Sequence, residues 1–509
     1  MKASYSFILT AAVVLTTATS AADGPTVPST GSSPTRPLFV WGDLAKGESR
    51  VFNLTDGREV NVRLIETGAT RDSGRRHPVR SATATVEVNG QQVILGCGNY
   101  NLPTTVGRVQ LDCPITSDYY EDARHDFWGL EKGKDARLRI WPKGSPLMPP
   151  GRLAYPVRQR WFASNTQMSN EPTWVDGGEE RGPGRVYYHY GLDIGTAELL
   201  TVAVAAVDGT VVALKGQWNP EHRDVEPPHG ITPACVFILD DWGWYHRYEH
   251  VQEFNPELAL GKRVKQGQVV GVGSKVGGTA WSHIHYDIRH RHPGGGHWVL
   301  QDGYAFLLES YVRQYGPSVV AVARPHQVAL TGEPVTLDAS RSWSRDPVVA
   351  HEWTLSNGKQ VSRPRVTRTY SKPGMYSEIV KVSGAGGKYD YDFAAVLVFD
   401  RNDQAKAPHT IHAAYSPTIG IKTGDSVTFK VRTFGTSDAE DIWDFADGSP
   451  PVVVRSLDGL VKELGQHPNG YATTVHRFEK AGRYIVRVER TNAAGVRAMT
   501  HLDVIVEEE

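Results

Sequence analysis

Short alternating runs of apolar and polar residues recur along most of the chain, and turns that contain glycine or proline separate them. Residues 59–65 and 82–88 are clear examples, and Asn89-Gly90 directly follows the second run. An alternation with period two predicts β-strands with one buried face. An Asn-Gly pair between two such runs predicts a tight hairpin. We therefore predict an all-β, multidomain protein.

The character of these runs changes along the chain. The amino-terminal part alternates regularly, a Pro- and Gly-rich stretch follows it, and a second set of strands surrounds most of the histidines. Long irregular stretches inside compact proteins are often functional, so we expect this connector to wrap the segment that follows and to shape one wall of a cleft. The predicted segments are a signal peptide at 1–22, a flexible lead at 23–37, an N-terminal β-sandwich at 38–141, the connector at 142–185, a β-sheet domain at 186–315 (the central segment), and two β-sandwich modules at 316–402 (the first module) and 406–509 (the second module).

The central segment shows several short strand patterns separated by turn residues. Asp208-Gly209 lies between two apolar runs and predicts a turn there. The predicted strands are 199–207, 210–214, 235–239, 245–250 and 283–289, and the predicted rim loops are 217–233 and 290–297.

The last two segments are related to each other by an internal repeat. Residues 331–338 align with 423–430, and residues 370–376 align with 478–484. A repeat of strand patterns at this spacing predicts two copies of one supersecondary unit, and short alternating strands favour a sandwich.

The first residues have the pattern of a secretory signal peptide. A basic start precedes an apolar run at 7–15, and small residues continue through Ala22. The apolar run is too short to anchor the chain in a bilayer, and no later segment has the length of a transmembrane helix. We therefore expect export, with the mature protein secreted, periplasmic or at the cell surface.

Charge excludes one broad class of partner. The chain has 55 Lys and Arg against 56 Asp and Glu, which gives a formal net charge of −1. A protein that binds nucleic acid through its backbone phosphates needs a strong basic excess. We therefore expect no nucleic-acid partner.

Three cysteines are present. Cys97 and Cys113 flank a turn-rich segment and could be cross-linked in an oxidising compartment. Cys235 lies in an apolar run and is interpreted as a buried thiol. The alternative for Cys235 is a nucleophile paired with a histidine.

Histidines and acidic residues form three short motifs in the central segment. These are His189-Tyr-Gly-Leu-Asp193, Tyr248-Glu-His250 and His283-Ile-His285. In a strand, His283 and His285 would lie on the same face of the sheet. Zinc binds imidazole and carboxylate groups, and a catalytic site keeps one position for a water that the metal acidifies. An imidazole that is not a ligand could take a proton from that water or stabilise the oxyanion.

These motifs resemble those of the lysostaphin/LytM-type zinc endopeptidases, in the same order. A glycine-bearing stretch at 264–271 also matches. By position, the resemblance implies that His189, Asp193 and His285 bind one Zn²⁺ per chain, and that His250 and His283 form a catalytic pair. It also implies hydrolysis of peptide bonds, in peptidoglycan cross-links or glycine-rich peptides.

Two departures from the family pattern concern substrate specificity. The stretch after Asp193 lacks the usual Ala-Pro-x-Gly-Thr-Pro run, and the insertion at 217–233 is long. Two alternatives to wall hydrolysis remain open: a non-catalytic cell-wall binding or regulatory protein on a LytM scaffold, and a zinc protease that acts on extracellular proteins. The resemblance also suggests a latent form of the enzyme, in which Asn165 or Asn170 would occupy the open zinc position.

The two modules resemble PKD domains, a class of Ig-like sandwich. The resemblance rests on residues 443–449 and 476–486 of the second module, and the first module is more degenerate. Such modules in secreted hydrolases act as spacers or as surface- and glycan-binding units. Asp444 and Asp447 could bind calcium or, in the interpretation we favour, shape a turn. We expect casual metal binding or solvation for His290, His292 and His297.

Overall fold

The computed structural model describes residues 37–71, 79–120, 128–165, 168–169, 172–175, 185–222, 230–276, 281–292, 297–457 and 470–508. The signal peptide and all but the last residue of the flexible lead lie outside these residues. Among the described residues, none of the helices has both the length and the apolar character needed to cross a bilayer.

Eight strands form the N-terminal sheet structure. Their order is β1-β8-β7-β5-β4-β3-β2, with β6 on β7. All pairs are antiparallel except the bridge between β5 and β7, where Cys97 lies opposite Cys113. The elements are β1 (Val40–Leu44), β2 (Ser49–Asn53), β3 (Glu59–Arg71), β4 (Val79–Val88), β5 (Gln91–Cys97), β6 (Thr104–Val106), β7 (Val109–Thr116), α1 (Ser117–Tyr120) and β8 (Ala136–Pro142).

The predicted hairpin between β4 and β5 is confirmed. Asn89 has φ 48° and Gly90 has φ 84°, and a two-residue turn of this type needs positive φ at both positions. The alternation of β3 also has its expected effect, since Val60, Val62 and Leu64 are buried in one core with residues of the other strands.

The connector is built into the core of the central segment. Tyr155, Val157 and Trp161 pack there, and Gln159 Nε2 donates to the carbonyl oxygen of Gly195 at 2.8 Å. It ends in a two-stranded hairpin that leads into His189. The strands of this hairpin are β9 (Pro172–Val175) and β10 (Arg185–Tyr188).

The central segment contains two sheets. The larger has the order β11-β20-β16-β15-β13-β14, with β18 on β13 and β21 on β20, and the smaller has the order β12-β19-β17. The strands are β11 (Leu192–Gly195), β12 (Val202–Val204), β13 (Gly209–Leu214), β14 (Gln217–Trp218), β15 (Val236–Asp240), β16 (Tyr245–Glu249), β17 (Val251–Gln252), β18 (Arg263–Val264), β19 (Val269–Gly273), β20 (His283–Arg291) and β21 (Trp298–Gln301).

Two details of this segment differ from prediction. The strand predicted at 199–207 is limited to β12, because Leu199 has φ 61° and lies in a turn. An unpredicted helix, α2 (Tyr304–Tyr315), follows β21. Its buried residues include Tyr304, Leu307 and Tyr311, which have helical spacing and pack into the central core.

The two modules share one sheet. Its order is β23-β30-β29-β38-β37-β34-β35, with further strands paired to this path. The strands of the first module are β22 (Val319–Val320), β23 (Gln327–Leu330), β24 (Pro334–Asp338), β25 (Trp343–Ser344), β26 (Val348–Thr354), β27 (Gln360–Ser362), β28 (Arg365–Thr369), β29 (Gly374–Gly384) and β30 (Tyr389–Phe399). Those of the second are β31 (Thr410–Ser416), β32 (Ile421–Lys422), β33 (Val427–Phe434), β34 (Asp441–Asp444), β35 (Val452–Val454), β36 (Ala472–His476), β37 (Gly482–Thr491) and β38 (Arg497–Glu507).

A parallel pairing joins the modules. Gly374 of β29 lies opposite Arg497 of β38, and a Cβ at Gly374 would lie 2.5 Å from the Arg497 carbonyl oxygen. Glycine is therefore required for this close approach. Each module retains its own core, built around Trp353 in the first and Trp443 in the second.

Candidate metal centre and active site

Strand β20 positions the site. It pairs with β11 in the register Asp193↔His285, so these two residues lie directly opposite each other on neighbouring strands. His283 lies two residues before His285 and shares its face, as the sequence predicts. His189 directly follows β10, and a turn at Gly191, which has φ 78°, connects it to β11. A Cβ at Gly191 would lie 2.9 Å from His285 Nε2, so a larger residue would displace this imidazole.

Three side chains converge on one point. His189 Nε2 and His285 Nδ1 each lie 2.9 Å from Asp193 Oδ1. The two imidazole nitrogens lie 3.0 Å apart. The three side chains are buried. Each offers one potential metal-ligand atom, and these atoms all lie within 4.8 Å of one another.

This triangle fits a zinc ion. Zinc bonds of about 2.0–2.1 Å in a tetrahedral shell place ligand atoms roughly 3.3 Å apart, close to the separations of His189, Asp193 and His285. Two imidazoles and one carboxylate are also the donor types that zinc prefers, and they leave a fourth position for a water. The predicted ligand set is therefore brought together by the fold.

The charges around Asp193 favour a bound cation. Burial alone would raise the pKa of this carboxyl, but His189 and His283, with hydrogen bonds from His189 and His285, hold its pKa well below the usual value. Asp193 is therefore an anion in a buried site. A buried charge needs a partner of opposite sign, and a divalent ion between the three side chains would supply it.

Asp287 orients His285 from the opposite side of the ring. Nε2 of His285 lies 3.2 Å from Asp287 Oδ2, and Nδ1 lies 2.9 Å from Asp193 Oδ1. When the ring is neutral and its proton is on Nε2, donated to Asp287, the Nδ1 lone pair would be available to a metal beside Asp193. Although burial lowers the pKa of His285, its bonds to Asp193 and Asp287 raise the pKa above the usual value overall. Arg247 and Arg289 in turn bond Asp287. A carboxylate behind a histidine ligand fixes its tautomer and raises its basicity.

Sequence reasoning missed this role of Asp287. The signal was present, because Asp287 follows His285 by two positions and a strand places it on the same face.

His250 and His283 form a second pair beside this cluster. Their ring centroids lie 4.4 Å apart, and His283 Nε2 lies 3.5 Å from Asp193 Oδ1. The Nδ1 atoms face backbone carbonyl oxygens, of Val276 at 2.7 Å from His250 and of Trp281 at 3.2 Å from His283. Because a carbonyl only accepts, each Nδ1 carries the proton and each Nε2 keeps a lone pair.

Both rings of this pair are uncharged near neutral pH. Burial lowers the pKa of His250 to about 4 and lowers the pKa of His283 well below its usual value. His250 also has φ 61°, an unusual conformation for a residue with a side chain. Such conformations cluster at functional sites, where surrounding structure holds them. The two imidazoles are thus available as bases or as hydrogen-bond partners of a reacting group.

Cys235 is a buried thiol, as predicted. Its sulfur accepts the Thr232 N–H at 3.2 Å, and burial raises the pKa of the thiol. A reactive cysteine needs a lowered pKa, so the nucleophile alternative is disfavoured. Cys97 and Cys113 are adjacent buried thiols, and their cross-linking remains a prediction.

The latency hypothesis is wrong for Asn165. Its Nδ2 donates to the Ile411 carbonyl oxygen at 2.8 Å, and its Oδ1 accepts the Ala413 N–H at 3.0 Å. Both ends of the side-chain amide are therefore held by β31, and no end is left for a metal. Asn170 lies outside the described residues.

Two of the remaining rim histidines contact the N-terminal sheet structure, because the Trp41 ring of β1 lies 5.7 Å from the ring of His290 and 5.3 Å from that of His292. His290 is buried and stacks on Trp244 at a ring separation of 5.2 Å, so the expectation of solvation is wrong for it. His292 lies 3.0 Å from a carboxylate oxygen of Glu131.

In the second module, Asp444 and Asp447 shape turns. They accept the N–H groups of Ala446 and Ser449, respectively. This bears out the turn interpretation of the two carboxylates.

Comparison with known proteins assigns the domains. Residues 187–297 match Peptidase family M23, and residues 317–397 and 410–506 each match a PKD domain. The chain therefore contains an M23 peptidase domain, followed by two PKD domains. No curated protein sequence matches the chain.

Several solved structures are similar at low identity. The catalytic domain of the antimicrobial peptidase lysostaphin from Staphylococcus simulans is 20% identical and covers 28% of this chain and 91% of its own, with a TM-score of 0.20. A catalytic-domain mutant of the prophage-encoded M23 protein EnpA from Enterococcus faecalis is 24% identical over 23% of this chain and 74% of its own, with a TM-score of 0.16. Csd3 from Helicobacter pylori is 13% identical and covers 48% of this chain and 80% of its own, with a TM-score of 0.19.

Proposed function

We propose that this protein is a secreted zinc metalloendopeptidase that hydrolyses peptide bonds in peptidoglycan cross-links or glycine-rich peptides. The observation that carries the proposal is the triangle of His189 Nε2, Asp193 Oδ1 and His285 Nδ1, with sides of 2.9–3.0 Å, beside two uncharged imidazoles. The match of residues 187–297 to a peptidase family supports peptide-bond hydrolysis.

His189, Asp193 and His285 would hold one zinc ion per chain. The ion would supply an acidified water and polarise the scissile carbonyl group. The chain's own contribution begins with Asp193, whose charge lies between the two ligand imidazoles. Asp287 keeps the Nδ1 lone pair of His285 directed at the same point.

His250 and His283 would handle the proton of the reaction. Their Nε2 atoms carry lone pairs, because both Nδ1 protons are donated to backbone carbonyls. One ring can accept a proton from the attacking water, and the protonated ring can then donate to the leaving amine. The other ring can stabilise negative charge on the substrate oxygen.

The substrate class follows from family resemblance and predicted export. The signal pattern at 1–22 would place the mature protein outside the cytoplasm, where peptidoglycan is found. The two PKD domains fit a role in binding substrate or a surface. An exported protease for other extracellular proteins would use the same chemistry, and a non-catalytic wall-binding protein would use only the scaffold.

The test is a metal and activity assay on the purified mature chain. We expect about one zinc per chain, release of amino groups from intact peptidoglycan and glycine-rich peptides, and loss of both on treatment with a chelator. The His285→Ala variant should lose zinc and hydrolysis. The matched control is His351→Ala, which removes a histidine from β26 in the first module.

The results separate the alternatives. Cleavage of extracellular proteins without peptidoglycan release would favour the general protease. Tight peptidoglycan binding by a zinc-loaded chain that hydrolyses neither substrate would favour the regulatory scaffold and contradict the proposal.

A further inference from the structure

The second module contacts the start of the catalytic strand. The hydroxyl of Tyr471 accepts the backbone N–H of Ser282 at 2.7 Å. Ser282 directly precedes His283, and both Tyr471 and Ser282 are buried. A residue from the far end of the chain thus bonds the backbone beside a proposed catalytic histidine.

The hydroxyl of Tyr471 is itself held in place by His412 of β31. His412 Nδ1 lies 2.6 Å from the hydroxyl oxygen. Burial, with the nearby Arg432, lowers the pKa of His412 to about 3, so its ring is neutral and can accept. Burial raises the pKa of Tyr471, which keeps its proton. The hydroxyl therefore accepts from Ser282 and donates to His412.

Trp281 transmits this contact to the site. Its ring stacks on His283, with centroids 3.7 Å apart and planes at 22°. Its carbonyl oxygen accepts the Nδ1–H of His283 at 3.2 Å. The same carbonyl carbon is bonded to the nitrogen of Ser282, so the Tyr471 bond fixes the peptide plane that sets the tautomer of His283.

The central segment holds the other side of Ser282. Its Oγ lies 2.8 Å from Thr196 Oγ1, and its carbonyl oxygen accepts the Thr196 N–H at 3.0 Å. Ser282 is thus held between Thr196, which directly follows β11, and Tyr471 of the second module.

A buried ion pair continues the same interface. Lys275 Nζ bonds Glu198 and lies 6.0 Å from the centre of the Tyr471 ring. A cation near an aromatic face is attracted to it. Aromatic, polar and charged groups from both domains therefore meet around Tyr471.

We propose that the second module is a working part of the peptidase site, in which Tyr471 is a positioning residue that acts through Ser282 and Trp281 on His283. This differs from a spacer or a separate binding unit, the roles that the resemblance to PKD domains implies. Its catalytic consequence rests on the proposed function, whereas the contact itself does not.

The test compares two tyrosine variants of the full-length chain. Tyr471→Phe removes only the hydroxyl that accepts from Ser282. The matched control, Tyr484→Phe, removes a hydroxyl of the same module that donates to the exposed carbonyl oxygen of Lys480 at 2.7 Å. In the zinc-loaded enzyme we expect kcat to fall about tenfold in Tyr471→Phe, a part of the 10²–10⁴ that a positioned acid–base group contributes. KM and zinc content should be unchanged.

A second measurement does not depend on activity. Amide hydrogen exchange of a peptide that contains Ser282 and His283 should be faster in Tyr471→Phe than in the wild type and in Tyr484→Phe, because the Ser282 N–H loses its acceptor. Unchanged exchange and unchanged kcat in Tyr471→Phe would overturn the proposal. An inactive wild type would overturn the proposed function, and exchange would then decide whether Tyr471 holds this strand.

Substitutions at His412 test the same contact without changing Tyr471, in case Tyr471→Phe misfolds. His412→Asn keeps an acceptor near the position of Nδ1 and should retain wild-type kcat and exchange. His412→Leu removes the acceptor and should behave as Tyr471→Phe does. Equal kcat and exchange in these two variants would contradict the proposal.

Discussion

His283 and His285 lie two residues apart on one face of β20, yet their surroundings give them opposite properties. His285 lies between the carboxylates of Asp193 and Asp287, and these raise its pKa even though burial opposes them. His283 stacks on Trp281 and donates to a backbone carbonyl, and burial lowers its pKa well below the usual value. The same strand thus places one imidazole at the proposed metal position and another, uncharged, beside it.

The difference shows that the groups in contact with each ring, and not the spacing of the two residues, determine their separate roles. A strand of period two places any pair of side chains at i and i+2 on one face. Of these two rings, only His285 has a carboxylate oxygen within hydrogen-bond distance of both nitrogens, whereas His283 Nε2 lies 3.5 Å from Asp193 Oδ1. Carboxylate contacts favour a metal ligand, and contacts to neutral carbonyls leave a free base.

The largest expected effect comes from Asp193→Asn. This change keeps the shape of the side chain and removes the charge that lies between His189 and His285. We expect loss of zinc, measured by inductively coupled plasma mass spectrometry, and loss of hydrolysis, because the acidified water depends on the metal. The control is Asp444→Asn, at a turn carboxylate of the second module. Zinc retained at wild-type stoichiometry would contradict the assignment of Asp193.

His283→Ala should separate chemistry from metal binding. We expect zinc to remain bound while kcat falls by about 10²–10⁴, the range of a lost acid–base group. His250→Ala should behave in the same way. Steady-state kinetics and metal analysis on the same preparation check both. If His283→Ala loses its zinc, the two rings of β20 are both needed for metal binding and the comparison above fails.

Asp287→Asn should have an intermediate effect. The amide can no longer accept the His285 Nε2–H as a carboxylate does, and it leaves Arg247 and Arg289 with less compensation. Loss of a carboxylate behind a histidine ligand weakens metal binding by about 10–100-fold. Competition with a zinc-binding dye measures this. Asp208→Asn, at a carboxylate paired with Lys265 on the surface, is the control and should bind zinc as the wild type does.

The smallest expected effect concerns His412, another buried imidazole, whose Nδ1 meets a hydroxyl. Its pKa is lowered by burial from about 6.5 to about 3, so the unfolded chain binds more protons between these values. Stability from this group is present above pH 6.5 and is lost as the pH falls toward 3. At pH 5 the loss is about 2 kcal/mol.

The asparagine in His412→Asn has no group that titrates in this range, so the stability of this variant should fall less as the pH is lowered. Thermal unfolding of the wild type and the variant at pH 7 and pH 5 tests the point. An equal fall in melting temperature for both proteins would be inconsistent with the lowered pKa of His412.

Local patterns predicted much of the fold and the ligand cluster. The alternation in 59–65 and the Asn89-Gly90 pair specify a strand and a turn through local geometry, and both are present. The spacing of His283 and His285 specified their common face. Helix α2 is not predicted although its apolar residues have helical spacing, because it is a single short helix that follows a long series of strand patterns.

Other features could not be read from local patterns. The contact between Tyr471 and Ser282 joins residues 189 positions apart, and no local pattern signals such a pairing. The positive φ of His250 depends on how β16 ends within the folded sheet. The wrong hypothesis for Asn165 has the same origin, because its side chain is held by β31, far away along the chain.

Zinc K-edge X-ray absorption on the purified chain tests the central claim most directly. The structure predicts one zinc per chain with two imidazole nitrogens at about 2.0–2.1 Å and light oxygen donors completing a four-coordinate shell. In His285→Ala the imidazole scattering should fall or the metal should be lost, whereas in His283→Ala the spectrum should match the wild type. A sulfur-coordinated metal would contradict the account. So would a spectrum that differs from the wild type in His283→Ala but not in His285→Ala.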